Sequence, residues 1–184
     1  MKIIQFTLRT AAAICLAFIM SSASCSLFDK AENINFEAKL PLEFVVDETA
    51  TNAGAKSYTY SKTLDATQNA EVAKYKDKIK EIKVNKISYV VSGYSAPGGA
   101  VVTFTNGKLK VASSGKTIAE AASINLQSTV EGDLTADTAG FNELAELLKA
   151  DKSETVSLSG TFSSTPVKFT VKVYFHTTIT AGVL

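Results

Sequence analysis

In the stretch Val167-Lys168-Phe169-Thr170-Val171-Lys172-Val173-Tyr174-Phe175-His176, apolar and polar side chains alternate without a break. Successive side chains of an extended chain point to opposite faces. Val167, Phe169, Val171, Val173 and Phe175 therefore share one face, and Lys168, Thr170, Lys172, Tyr174 and His176 share the other. One dry face and one wet face belong to an antiparallel sheet laid over a core. Upstream, Val156 and Leu158 run into Ser163-Ser164-Thr165-Pro166, a turn composition, so the spacing predicts a terminal hairpin.

The same period of two governs Ile34 to Val46, where Ile34, Phe36, Ala38, Leu40, Leu42, Phe44 and Val46 fall on one side. Pro41 cannot donate to a ladder, which places this strand at a sheet edge or at a bulge. Tyr58, Tyr60 and Leu64 mark a second strand. Asp65-Ala66-Thr67-Gln68 reads as a capping box opening an amphipathic helix over 66–80, with Val72, Tyr75 and Ile79 on one side. From Ile82 to Val91 the apolar set shifts from even to odd positions, which predicts a bulge near Asn85-Lys86. Asn106-Gly107, between Val101–Thr105 and Lys108–Ala112, is a hairpin signal because both residues tolerate positive φ. Residues 116–127 fit a weak helix or a strand ending at Leu126. Phe141, Leu144, Ala145, Leu147 and Leu148 set a second amphipathic helix at 138–150, with Asp137 as its N-cap. The fold class is mainly β or α+β: an antiparallel sheet or β-sandwich with two amphipathic helices.

Composition narrows the function. Hydrophobic residues at 46% and charged residues at 20% allow a packed core. Nineteen basic residues against eighteen acidic ones leave no electrostatic footprint for nucleic acid, and none is expected as a partner. One His and two Cys exclude multi-cysteine metal clusters and most histidine-based catalysis. No cofactor and no metal are expected.

The first residues read as an address. Lys2 and Arg9 precede ten unbroken apolar residues, Ala11 to Met20, and then the small residues Ser21-Ser22-Ala23-Ser24. Ten helical residues span about 15 Å, half a bilayer's hydrocarbon core, so this is a secretory signal peptide and not a transmembrane helix. Ser22-Ala23-Ser24-Cys25 resembles the lipobox of bacterial lipoproteins, with Ser22 where Leu is usual. Ser21 to Asp29 is similar to the relaxed boxes of small β-rich lipoproteins from Bacteroidetes-type bacteria.

That resemblance implies diacylglycerol on the Cys25 thiol, a fatty acyl chain such as palmitate on its amine, and a mature protein starting at Cys25. It also implies sorting to the outer membrane. Residues 1–24 would be the signal peptide, 25–33 the lipidated N-terminus and tether, and 34–184 a single β-rich domain. Cleavage by ordinary signal peptidase is the competing reading. Each buried methylene contributes about 0.8 kcal/mol, so two or three acyl chains hold a domain on a bilayer durably.

The remaining chemistry is sparse. Gly115-Lys116-Thr117 follows a strand but lacks the upstream Gly of a phosphate-binding loop, where Lys110 stands. His176 has no partner that spacing can nominate, and reads as an exposed strand histidine. Glu131, Asp133 and Asp137 crowd one loop without the full calcium-loop pattern. Tyr58 and Tyr60 share a strand face and suit either sugar stacking or packing. Lys74, Lys76, Lys78, Lys80, Lys83 and Lys86 would fan over the polar side of the first helix, as an ordinary solvated face or as a place where an anionic glycan, lipid head groups or an acidic protein could dock. An enzyme would need Glu43, Glu131 or Asp133 to converge in a cleft. No catalytic set emerges, so the expected role is a noncatalytic envelope lipoprotein acting as a binding, adhesion or structural module. A carrier of a small apolar ligand is the alternative.

Overall fold

Every second residue from Val167 to Ala181 is buried, as the alternation requires. This strand, β9 (Thr165–Gly182), lies inside a four-stranded sheet ordered β1-β9-β3-β6, with β1 at Asn33–Asn52, β3 at Ile79–Ser95 and β6 at Gly132–Asp133. A five-stranded sheet runs β2-β8-β4-β5-β7, formed by Lys56–Asp65, Ser153–Phe162, Thr103–Val111, Thr117–Asn125 and Thr135–Ala136. The computed structural model describes residues 33–183, of which 35–182 form one compact unit. The expected signal peptide, Cys25 and nearly all of the expected tether lie outside the described residues. The fold is mainly β, two antiparallel sheets with two α-helices.

The dry faces of the two sheets meet in an aromatic core. The Phe162 ring of β8 lies 5.0 Å from Phe104, 5.3 Å from Tyr58 and 5.9 Å from Phe169 of β9, so it ties one sheet to the other. Pro41 sits exposed on β1, an edge strand, as its missing donor demands. The expected bulge in β3 is present between Val84 and Lys86. Residues 116–127 resolve as the strand β5.

Three expectations are corrected. Val156–Leu158 and Val167–Phe175 form no hairpin: β8 and β9 belong to different sheets, and Ser163-Ser164 carries the chain across the core. Turn residues report a change of direction, whereas the two apolar faces are better buried opposite each other than side by side. Asn106-Gly107 is not a hairpin turn either. β4 runs straight through it, and Asn106, at φ 53°, forms a bulge in which two residues face Gly160 of β8. Gly160 is required there, since a Cβ would lie 2.2 Å from the Phe104 ring.

The helix expected over 66–80 breaks into a 3-10 turn at Ala66–Gln68, a six-residue helix α1 at Ala70–Tyr75 and a second 3-10 turn at Lys76–Lys78. Two caps compete within five residues. Asp65 accepts from the Thr67 amide at 2.8 Å, and Asn69 accepts from the amides of Glu71 and Val72. Gln68 donates to the Asp65 carboxylate at 3.2 Å, so the reciprocal backbone bond of a capping box is not the one made. Ile79 opens β3.

The second helix forms as read. α2 spans Thr138–Asp151, Asp137 accepts from the Gly140 amide at 3.0 Å, and Phe141, Leu144, Ala145 and Leu148 are buried. Gly140 lets the helix rest on β5, because a Cβ would fall 1.9 Å from the Thr117 carbonyl oxygen.

Candidate functional site

The sheet containing β9 turns a charged face to solvent. Lys168 pairs with Asp47 at 2.9 Å and Lys172 with Glu43 at 3.6 Å, rungs joining β9 to β1. Farther along, His176 Nε2 stands 2.9 Å from the Ser88 hydroxyl of β3, which donates to Glu131 at 2.5 Å. Glu131 also meets Lys39 at 3.4 Å, and the Lys39 ammonium lies 3.9 Å above the Tyr174 ring. Asp133 takes Lys86 at 2.7 Å. The segment 131–133 lies along β3, with Ser88 opposite Asp133, and Ser88 is fully buried. The Ser88 hydrogen bond above all, with Lys39 and His176 nearby, holds the Glu131 carboxyl below its ordinary 4.5.

Ser, His and Glu thus come together from positions 88, 176 and 131, which no spacing in the chain signals; only the strand register does. They do not form a nucleophilic relay. A relay needs the acid on the far imidazole nitrogen, whereas Ser88 and Glu131 both lie on the Nε2 side and the Ser88 hydroxyl is out of reach of a substrate. The group acts as a clasp holding 131–133 to the sheet. His176, expected to be exposed, is half-buried within it.

The other sequence candidates separate. Glu43, Glu131 and Asp133 are each answered by a different lysine. Asp137 caps α2, so the acidic loop gathers no oxygen cage, and no group of three or more His, Cys, Asp or Glu able to hold a metal occurs among the described residues. Gly115-Lys116-Thr117 lies at the turn between antiparallel β4 and β5, and Lys116 pairs with Glu143 at 2.6 Å. Tyr58 is buried, and that burial, ahead of nearby Glu48, pushes its hydroxyl up to about 12; Tyr60 is exposed, so they form no paired stacking platform. The six lysines do not share a helix: Lys74 is on α1, Lys76 and Lys78 in the 3-10 turn, and Lys80, Lys83 and Lys86 on β3. The apolar void between the sheets, bordered by Phe104, Leu109, Leu158 and Val171, measures about 20 Å³, room for about one water.

The five-stranded sheet presents a different outer face. Ser57, Thr161, Thr105 and Ser123 stand in register across β2, β8, β4 and β5. Thr59, Ser159, Lys108 and Glu120 form the next row, and Ser61, Ser157, Lys110 and Thr117 a third. Thr63 and Thr155 follow. Lys108 and Glu120 neutralise each other at 3.5 Å.

No protein-family model matches the chain, and neither does any curated protein. Among solved structures it is similar to a decameric BFDV capsid protein, at 7% identity and a TM-score of 0.45 over 80% of this chain and 98% of that one. It is also similar to Desmodium yellow mottle tymovirus, at 11% identity and a TM-score of 0.39 over 82% and 90%. Turnip yellow mosaic virus gives 11% identity and a TM-score of 0.36 over 82% and 96%. At such scores the likeness bears on neither descent nor function.

Proposed function

We propose that the chain is a noncatalytic lipoprotein of the cell envelope, anchored in the outer membrane through acyl chains on Cys25 and acting as a binding, adhesion or structural module. The observation that carries this is the order of Lys2 and Arg9, the apolar run Ala11–Met20 and Ser22-Ala23-Ser24-Cys25 ahead of a β domain. Support for a noncatalytic role comes from Glu43, Glu131 and Asp133, each ion-paired with its own lysine. The carrier reading has less support, since a void of about 20 Å³ is too small for an apolar ligand. Within the module reading, the exposed Lys76, Lys80 and Lys83 suit an anionic glycan or an acidic protein.

The test is Cys25→Ala in the producing bacterium. The substitution should abolish incorporation of labelled palmitate and move the protein from the membrane to the soluble fraction. An unlabelled wild-type protein, or a variant that stays with the membrane, contradicts the reading.

A further inference from the structure

We infer that the outer face of β2, β8, β4 and β5 is a docking surface for a neutral polysaccharide, an inference that rests on the binding-module reading above. A face shaped only for solubility carries interspersed charges, as the opposite sheet's does with Asp47, Glu43, Lys168 and Lys172. The face across β2 to β5 carries hydroxyls at nine of the twelve positions in its three rows and charges, Lys108, Glu120 and Lys110, at the other three. Ser57, Thr161, Thr105 and Ser123 cross four strands in one straight row, which Thr59 and Ser61 continue along β2 and Ser159 and Ser157 along β8, whereas past the bulge β4 brings Lys108 and Lys110 into the next two rows and β5 brings Glu120 and Thr117. Strand geometry sets these hydroxyls about 4.8 Å apart across the sheet and about 6.7 Å apart along it.

Each hydroxyl offers one donor and two acceptors and rotates to suit its partner. Those of Ser57, Ser61, Ser157 and Ser159 have no side-chain partner among the described residues. The threonines add a methyl beside each hydroxyl, matching the C–H and O–H groups that alternate around a sugar ring.

Charge complementarity selects the occupant. Lys108 and Glu120 cancel at 3.5 Å, leaving Lys110 as the one other charge in the three rows. An anionic polymer or an acidic protein finds too little counter-charge here, whereas an uncharged polymer of hydroxyls meets the serines of β2 and β8 and the acceptor lone pairs of Thr59 and Thr105, whose protons go to the carbonyls of Tyr58 and Thr161. Single hydrogen bonds in water contribute little, so affinity must come from repetition, which a polymer supplies and a free monosaccharide does not.

The experiment is affinity electrophoresis of the mature chain through gels holding soluble starch, yeast mannan or hydroxyethyl cellulose, with polygalacturonate as the charged control. Retardation in at least one neutral gel is expected. Thr161→Lys with Ser157→Lys, on the interior strand β8, should weaken it about tenfold. Ser57→Ala with Ser61→Ala, on the exposed edge strand, should weaken it by a smaller factor while leaving the fold intact, and Lys172→Ala on the opposite sheet should leave it unchanged. Three results overturn the inference: no retardation in any neutral gel, retardation indifferent to the β8 and β2 variants, or retardation by polygalacturonate alone. The last would favour the lysines of 74–86 and leave the envelope-module reading standing, which palmitate labelling of Cys25 tests separately.

Discussion

The two sheets share one core but turn different chemistry to water. Across β1, β9 and β3 the outer face is a ladder of ion pairs, and the Ser88–Glu131–His176 group clasps the 131–133 segment down on it. Across β2, β8, β4 and β5 it is mostly hydroxyls, with the Lys108–Glu120 pair and Lys110 among them. Exposed ion pairs contribute little stability, about 0–1 kcal/mol each, so on the charged face the buried Ser88 hydroxyl is the stronger fastening of the 131–133 segment. Under the hydroxyl face, Gly160 leaves room for the Phe104 ring beside the bulge that shifts the register of β4 against β8.

Substitutions can separate the shared part from the private ones. Phe162→Ala should have the largest effect, a loss of about 3–5 kcal/mol in denaturant unfolding, because the ring touches aromatic partners in both sheets. Amide exchange should then rise on both faces together. Gly160→Ala should destabilise by about 1–3 kcal/mol through overpacking against Phe104, with faster exchange concentrated in β4 and β8. Ser88→Ala should remove about 1 kcal/mol and raise exchange in 130–134, leaving the hydroxyl face untouched. If Ser88→Ala disturbed β2 and β8 as much as β3, the faces would not be independent.

Acid gives the mildest probe. Glu131 titrates lower folded than unfolded, so its contribution is present above about 4.5 and is lost as pH falls through the lower folded value. Lowering the pH from 6 to 3 should loosen 130–134 before β8, as read by amide exchange corrected for its intrinsic pH dependence. At the other extreme, Tyr58 titrates at about 12 when folded against 10 when free, so stability should fall as pH rises from 10 toward 12. Tyr58→Phe should flatten that decline.

Much of this architecture was legible in the chain, and the failures have a common cause. Period-two patterning found β1 and β9, the parity shift at Asn85 found a bulge, and helical spacing with Asp137 found α2. Local signals misled wherever one local conformation serves two global outcomes. Positive φ at Asn106 suits a bulge as well as a turn, and Ser163-Ser164 suits a crossing as well as a hairpin. The Ser88–Glu131–His176 clasp and the hydroxyl rows were invisible, since both exist only through register between strands distant in sequence.

Lipid anchoring through Cys25 is tested most directly by the mass of the N-terminal peptide of the mature protein, taken from a native membrane fraction. The expected peptide begins at Cys25 and carries diacylglyceryl and fatty acyl mass. An unmodified peptide, or one that begins after another residue in the soluble fraction, would contradict it.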